Sequence, residues 1–201
     1  MSSQTLKIDV RGYWHAGTGR GGGAVMDAVV YRDPSGLPVL PGRHIKGLLR
    51  DALERAEGWN WDGYAGLADH LFGQRSERIA PGVVPDPGCL RVSDGCIDRS
   101  LAHYLGSPSG KQKHLVSRLF RSLHSTAVDH ETGSARDHSL RGIEVTIPLQ
   151  LYARIEVIAG ADLRSPDWRE RLCDVLPLID AVGAHRTRGL GRAVLSMEQD
   201  L

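Results

Sequence analysis

IEVTIPLQLYARIEVI, residues Ile143 to Ile158, is the stretch on which the fold turns. Its apolar residues Val145, Ile147, Leu149, Leu151, Ala153, Ile155 and Val157 fall at every second position, and Arg154 and Glu156 stand between them. That period reads as one long strand with one face on a core and the other polar. A matching pattern lies near the start, where Leu6, Ile8 and Val10 alternate with Lys7, Asp9 and Arg11. Two such strands, far apart in the chain, predict a sheet built from distant segments.

Between and after them the period changes. Ile45, Leu48, Leu49, Ala52, Leu53 and Ala56 recur at three and four, with Arg50, Asp51, Glu54 and Arg55 on the other side, which predicts a helix ending at Gly58. A second helix is expected from Ser165 as N-cap and Pro166 as first helical residue. Its stripe is Leu172, Val175, Leu176 and Ile179, and Pro177 kinks it or ends its regular part. Leu90 to Ile97 and Ala193 to Met197 read as further strands, and 65–72 and Leu115 to Leu123 as short helices. Asp33-Pro34-Ser35-Gly36 marks a turn. The order strand, helix, strand, strand, helix, strand is that of an α+β, ferredoxin-like (RRM-like) βαββαβ core with long insertions, a sheet plan that RNA-recognition domains also use. The expected organisation is one domain over 1–201 with insertions at about 16–40, 59–88 and 101–142. Trp59 and Trp61 are expected to anchor the middle one.

Composition narrows the function classes. With 201 residues and 41% hydrophobic content the chain can bury a sizeable core. The net charge is +1, but the 25 basic residues divide into 21 Arg and 4 Lys. Arg forks onto phosphates and stacks on bases, so the bias leans toward RNA or another phosphate partner; a GC-rich coding sequence gives the same bias without a functional cause. Cys89, Cys96 and Cys173 form no C-x-x-C pair, which argues against a disulfide framework or a cysteine zinc site. No charged segment with an apolar stretch follows Met1, and no apolar run approaches the ~18 residues of a membrane span. The expectation is a cytoplasmic protein with no membrane partner.

The glycine run in HAGTGRGGGAVMD, His15 to Asp27, is not a phosphate-cradling P-loop, because no Lys-Ser/Thr pair follows its last glycine. LPVLPGRHIKGLLR, Leu37 to Arg50, is more specific. A Pro-Gly turn at the start of the first helix, with Arg43, His44 and Lys46 around its free N–H groups, predicts an anion site suited to a phosphate backbone. Near the C-terminus Arg186, Arg188 and Arg192 surround Gly189-Leu190-Gly191, a tight turn that fits phosphate contact. His124, His130 and His138 with Asp129 are spaced too irregularly for a metal site. His15 is either a general base or a packed residue.

These segments resemble the RAMP superfamily of CRISPR-associated proteins, in which P-G-S-S-L-K-G-x-x-R follows the first hairpin. The resemblance continues through Leu71-Phe72-Gly73, Arg91-Val92-Ser93-Asp94, Thr126-Ala127-Val128-Asp129 to Thr132-Gly133-Ser134-Ala135, and Arg188-Gly189-Leu190-Gly191-Arg192. Arg43-His44-Ile45 replaces the usual hydroxyl residues. Among such proteins the chain is similar to the repeated backbone subunit of type III effector complexes. The resemblance implies an endoribonuclease with CRISPR guide RNA, complementary target RNA, copies of itself and other effector subunits as partners. It implies Asp27 as the catalytic acid, transiently holding Mg²⁺ or another divalent ion, with the target's own 2′-hydroxyl attacking. It also implies guide contacts from Arg43, His44, Lys46, Arg50, Arg186, Arg188, Gly189, Gly191 and Arg192, and a protrusion within 107–142 that wedges between guide and target. Asp33 is the rival acid. A non-catalytic guide-binding scaffold and a metal-independent processing nuclease with a histidine acid or base stay open.

Overall fold

Pro148 divides the long alternating run. In the computed structural model, which describes residues 3–23, 26–75, 79–80, 82–106 and 113–198, Arg141–Thr146 and Leu149–Val157 are separate strands in different sheets. The reading of one strand over 143–158 is corrected there: proline brings no N–H to a ladder, so the pairing changes partner across it.

In chain order the strands are β1 (Ser3–Val10), β2 (Leu90–Val92), β3 (Phe120–Ser125), β4 (Arg141–Thr146), β5 (Leu149–Val157) and β6 (Ala193–Met197). The helices are α1 (Gly42–Gly58), α2 (Leu67–Phe72), α3 (Arg99–Leu105), α4 (Lys113–Ser117) and α5 (Trp168–Val175). Four strands form a sheet in the order β2-β5-β1-β6, every neighbouring pair antiparallel. β1 and β2 therefore run the same way with β5 between them, and the connection from one to the other carries α1. β5 and β6 likewise flank β1, and their connection carries α5. β3 and β4 make a separate two-stranded ribbon.

One face of the sheet is the core. Leu6, Ile8, Leu151, Ala153, Ile155 and Ala193 are buried against Ile45, Leu49 and Leu53 of α1 and Trp168, Leu172 and Val175 of α5. The alternation in β1 and the three-four spacing in α1 meet in this layer, which is why both elements were readable.

Other expectations shift. α5 begins at Trp168 with Asp167 as its flanking residue, because Ser165 and Trp168 close a separate turn (Trp168 N–H to Ser165 C=O, 3.2 Å). Pro177 ends it, in a 3-10 turn over Leu176–Leu178. The helix expected over 115–123 stops at Ser117, and Phe120–Ser125 is drawn into the ladder with β4. α3 is capped by Asp98, whose carboxylate accepts from the Ser100 and Leu101 N–H groups. Trp59 and Trp61 are 55% and 38% exposed; the anchor of that insertion is Tyr64, buried at 3% and donating to the Asp174 carboxylate.

Candidate functional site

The hairpin carrying Asp27 is held by its returning strand. Thr18 N–H donates to Val29 C=O (3.2 Å), Tyr31 N–H to Ala16 C=O (2.6 Å) and Gly22 N–H to Met26 C=O (2.7 Å). Asp27 then clamps one residue of β4 at both of its polar groups. Its N–H donates to the Gly142 C=O at 2.7 Å, and its Oδ2 accepts from the Gly142 N–H at 2.8 Å. The side chain is exposed. Two residues on, the Glu144 N–H donates to Ala28 C=O. The Glu144 carboxylate accepts from the Val30 N–H and pairs with Arg32, whose guanidinium lies 3.7 Å over the Phe120 ring. Glu144 was invisible to sequence reasoning, since its partners lie 112 and 114 residues away. Asp33 is a turn former, its Oδ1 accepting from the Ser35 and Leu37 N–H groups.

The P-G turn has a structural cause. A Cβ on Gly42 would stand 2.5 Å from the Val92 C=O, so only glycine lets α1 start so close to the end of β2. The Gly42 N–H donates to the Asp94 carboxylate at 2.7 Å. The expected anion site on free N–H groups is corrected accordingly: a resident carboxylate already caps the helix and faces its positive end. Cations remain beside it. Arg43 is exposed, Lys46 is half-exposed, and neither has an ion pair among the described residues.

His44 is half-buried and joins α1 to the C-terminal loop by accepting the Gly183 N–H at Nε2, 2.8 Å. Burial, reinforced by the Arg186 charge, holds its pKa below the usual histidine value, so it stays a neutral acceptor. The loop itself is pinned at Gly191, where a Cβ would fall 1.8 Å from the Val182 C=O and φ is +76°. Around that pin Arg186, Arg188, Gly189 and Arg192 are exposed. His15 ties this loop to the Asp27 hairpin. It is 4% exposed, donates from Nδ1 to the Glu144 C=O (2.6 Å), and accepts the Ala184 N–H at its own C=O (2.7 Å). Its packed reading is the one the structure supports.

Arg50 belongs elsewhere. It is 9% exposed, and its guanidinium donates twice to the Gly73 C=O (both 2.6 Å) and pairs with Glu54 and Asp69. The expected guide contact from Arg50 is corrected to an anchor between α1 and α2. No group of three or more His, Cys, Asp or Glu residues that could hold a metal occurs among the described residues. Asp129 instead closes a turn, accepting from the Glu131 and Thr132 N–H groups. In the expected protrusion, 107–112 lie outside the described residues, and Thr126–Leu140 are exposed apart from half-buried Asp129 and Ser139. No helix among the described residues is long and apolar enough to cross a membrane.

This arrangement of a four-stranded antiparallel sheet, a capped first helix and a glycine-pinned C-terminal loop falls in a known class. The chain belongs to the RAMP superfamily, whose family model matches residues 7–194. Its fold resembles a chain of Type III-B Cmr-beta bound to cognate target RNA, seen by cryo-EM, with a TM-score of 0.72 at 10% identity over 98% of this chain and 97% of that one. It also resembles a chain of Type III-B Cmr-beta in the apo state, with a TM-score of 0.68 at 10% identity over 98% of each. No curated protein matches it.

Proposed function

We propose that this chain is a backbone subunit of a type III CRISPR effector complex, ferredoxin-like in its core, that binds guide RNA and cuts the paired target RNA at Asp27. The strand order β2-β5-β1-β6, with α1 in the crossover from β1 to β2 and α5 in that from β5 to β6, supports the ferredoxin-like reading. In this reading Arg43 and Lys46 at the head of α1 and Arg186, Arg188 and Arg192 on the adjoining loop hold guide phosphates. Base pairing reads the target, so the protein needs only backbone contacts. The observation that carries the cutting role is the clamp of Asp27 on Gly142, which holds an exposed carboxylate rigidly while leaving Oδ1 without a hydrogen bond among the described residues.

One carboxylate oxygen suits Mg²⁺, which commonly takes one or two protein carboxylates and completes its shell with water and substrate phosphate. Asp27 would hold the ion, and the ion would neutralise charge building on the scissile phosphate. The chain's own part is to fix Asp27 against β4 through Gly142 and Glu144, and to hold the guide so that the target passes it. The test is cleavage of end-labelled target RNA by the guide-loaded particle, in Mg²⁺ or chelator, for wild type and Asp27→Ala. Metal-dependent cuts at regular intervals that vanish in the variant, with RNA binding retained, are expected. Intact target despite tight binding by wild type would make the chain a guide-holding scaffold.

A further inference from the structure

The sheet has a second face, whose side chains are half-buried or exposed. Along β1 it presents Thr5, Lys7 and Asp9, along β5 Gln150, Tyr152, Arg154 and Glu156, and along β2 Arg91. Register sets these side by side: Lys7 opposite Tyr152, Thr5 opposite Arg154, Arg91 opposite Glu156. The ladder continues past β1, where the Arg11 N–H donates to the Arg192 C=O at 2.7 Å, so the alternation brings Arg11 and Arg192 to the same side. The face thus carries Lys7, Arg11, Arg91, Arg154 and Arg192 against Asp9, Glu156 and, by the same register, Glu198, whose N–H donates to the Thr5 C=O at 2.9 Å, with Asp94 on the wall of the groove beside Tyr152. Asp9 and Glu156 pair with Arg11 and Arg154, while Lys7, Arg91 and Arg192 have no ion pair among the described residues. A groove of about 370 Å³ runs beside Tyr152 between Arg91 and Arg154.

We propose that this open face is a second RNA contact, taking a single strand that crosses from the C-terminal loop toward β2. This inference rests on the RNA-binding reading above and extends it to residues that the P-G and G-L-G motifs do not include. The cations without an ion pair, Lys7, Arg91 and Arg192, select a polyanion, and continuity selects the same polyanion as the loop, because Arg192 belongs to both surfaces. Tyr152 selects a single strand. A half-buried aromatic among the side chains of this sheet face is a stacking platform, and only unpaired bases offer a free face to it. The sheet is three strand spacings wide, about 14 Å, room for roughly two or three nucleotides.

The test is fluorescence anisotropy of the full-length chain with a 5′-labelled single-stranded RNA, titrated at several salt concentrations. Lys7→Ala and Arg91→Ala are each expected to weaken binding and to lower the salt slope by about 0.7, the value for one phosphate contact on a single strand. Tyr152→Ala should weaken it roughly 5- to 100-fold, with Tyr152→Phe restoring most of the loss. Arg186→Ala with Arg188→Ala serves as the loop control, and unchanged urea midpoints establish that the variants fold. Wild-type affinity and slope in all three sheet variants, with binding lost in the loop control, would overturn this inference and leave the motif-based interface standing. No binding by the wild-type chain would overturn both.

Discussion

Replacing Arg50 by alanine separates an anchoring arginine from an RNA-contacting one. In the folded chain its guanidinium is 10% exposed at the side chain and satisfies the Gly73 C=O twice. Removal leaves that carbonyl without its donors, at about 1–3 kcal/mol for a buried group. It also leaves Glu54 and Asp69 without their shared cation. Their side chains are 20% and 33% exposed and Glu54 keeps Arg75 at 2.6 Å, so solvent and the second arginine soften the loss. The total is about 3 kcal/mol, at the low end of the range for breaking a buried pair. With a urea slope of ~2–3 kcal/mol/M, the unfolding midpoint falls by about 1 M. Arg43→Ala, on the same helix but exposed, changes stability by less than about 0.5 kcal/mol. The assay is urea unfolding followed by circular dichroism, with RNA affinity measured on both variants. A midpoint within 0.2 M, taken as roughly the resolution of such curves, together with lost RNA affinity for Arg50→Ala, would refute the anchoring role.

Two further outcomes follow from the site geometry. Asp94→Ala removes the carboxylate that caps α1 at Gly42 and should cost about 1 kcal/mol, read as a shifted urea midpoint, whereas Asp94→Asn keeps an acceptor and most of the stability. His44 gives a pH dependence: its folded pKa lies below the unfolded value of 6.5, so its contribution is full above pH 6.5 and is lost as pH falls toward the folded pKa. Thermal melts from pH 7.5 to 5 should therefore drop more steeply for wild type than for His44→Gln, which cannot take up the proton; parallel curves would remove His44 as the cause.

What the sequence disclosed and what it hid divide along contact distance. β1 and α1 were legible because each keeps one period for its whole length against a single core layer. The break at Pro148 was not, because the apolar spacing runs on unbroken through a residue that lacks the ladder's donor. Leu115, Leu119 and Leu123 stand four apart, a helical spacing, yet Leu123 pairs with Ile143 of β4. Local pattern cannot weigh a partner strand twenty residues away. Arg50 was misplaced for the same reason: the helical wheel set it with Asp51, Glu54 and Arg55, and α2, which covers it, comes only later in the chain.

The motifs themselves carry a sharper lesson. P-G and Arg91-Val92-Ser93-Asp94 read as separate anchors, yet they are two halves of one junction, glycine yielding space to the Val92 carbonyl and Asp94 taking the glycine's N–H. G-L-G is likewise a junction, Gly191 lying where the Val182 carbonyl admits no side chain. These residues mark where backbone must pass backbone, and their first duty is geometric. The charges available to a ligand are their neighbours: Arg43 and Lys46 beside one junction, Arg186, Arg188 and Arg192 beside the other, with the hydrogen bond from Gly183 to His44 linking the two. Substituting a junction glycine therefore reports on folding. Substituting the flanking cations reports on binding, so of these two sets only the cations are expected to lower RNA affinity while the fold is preserved.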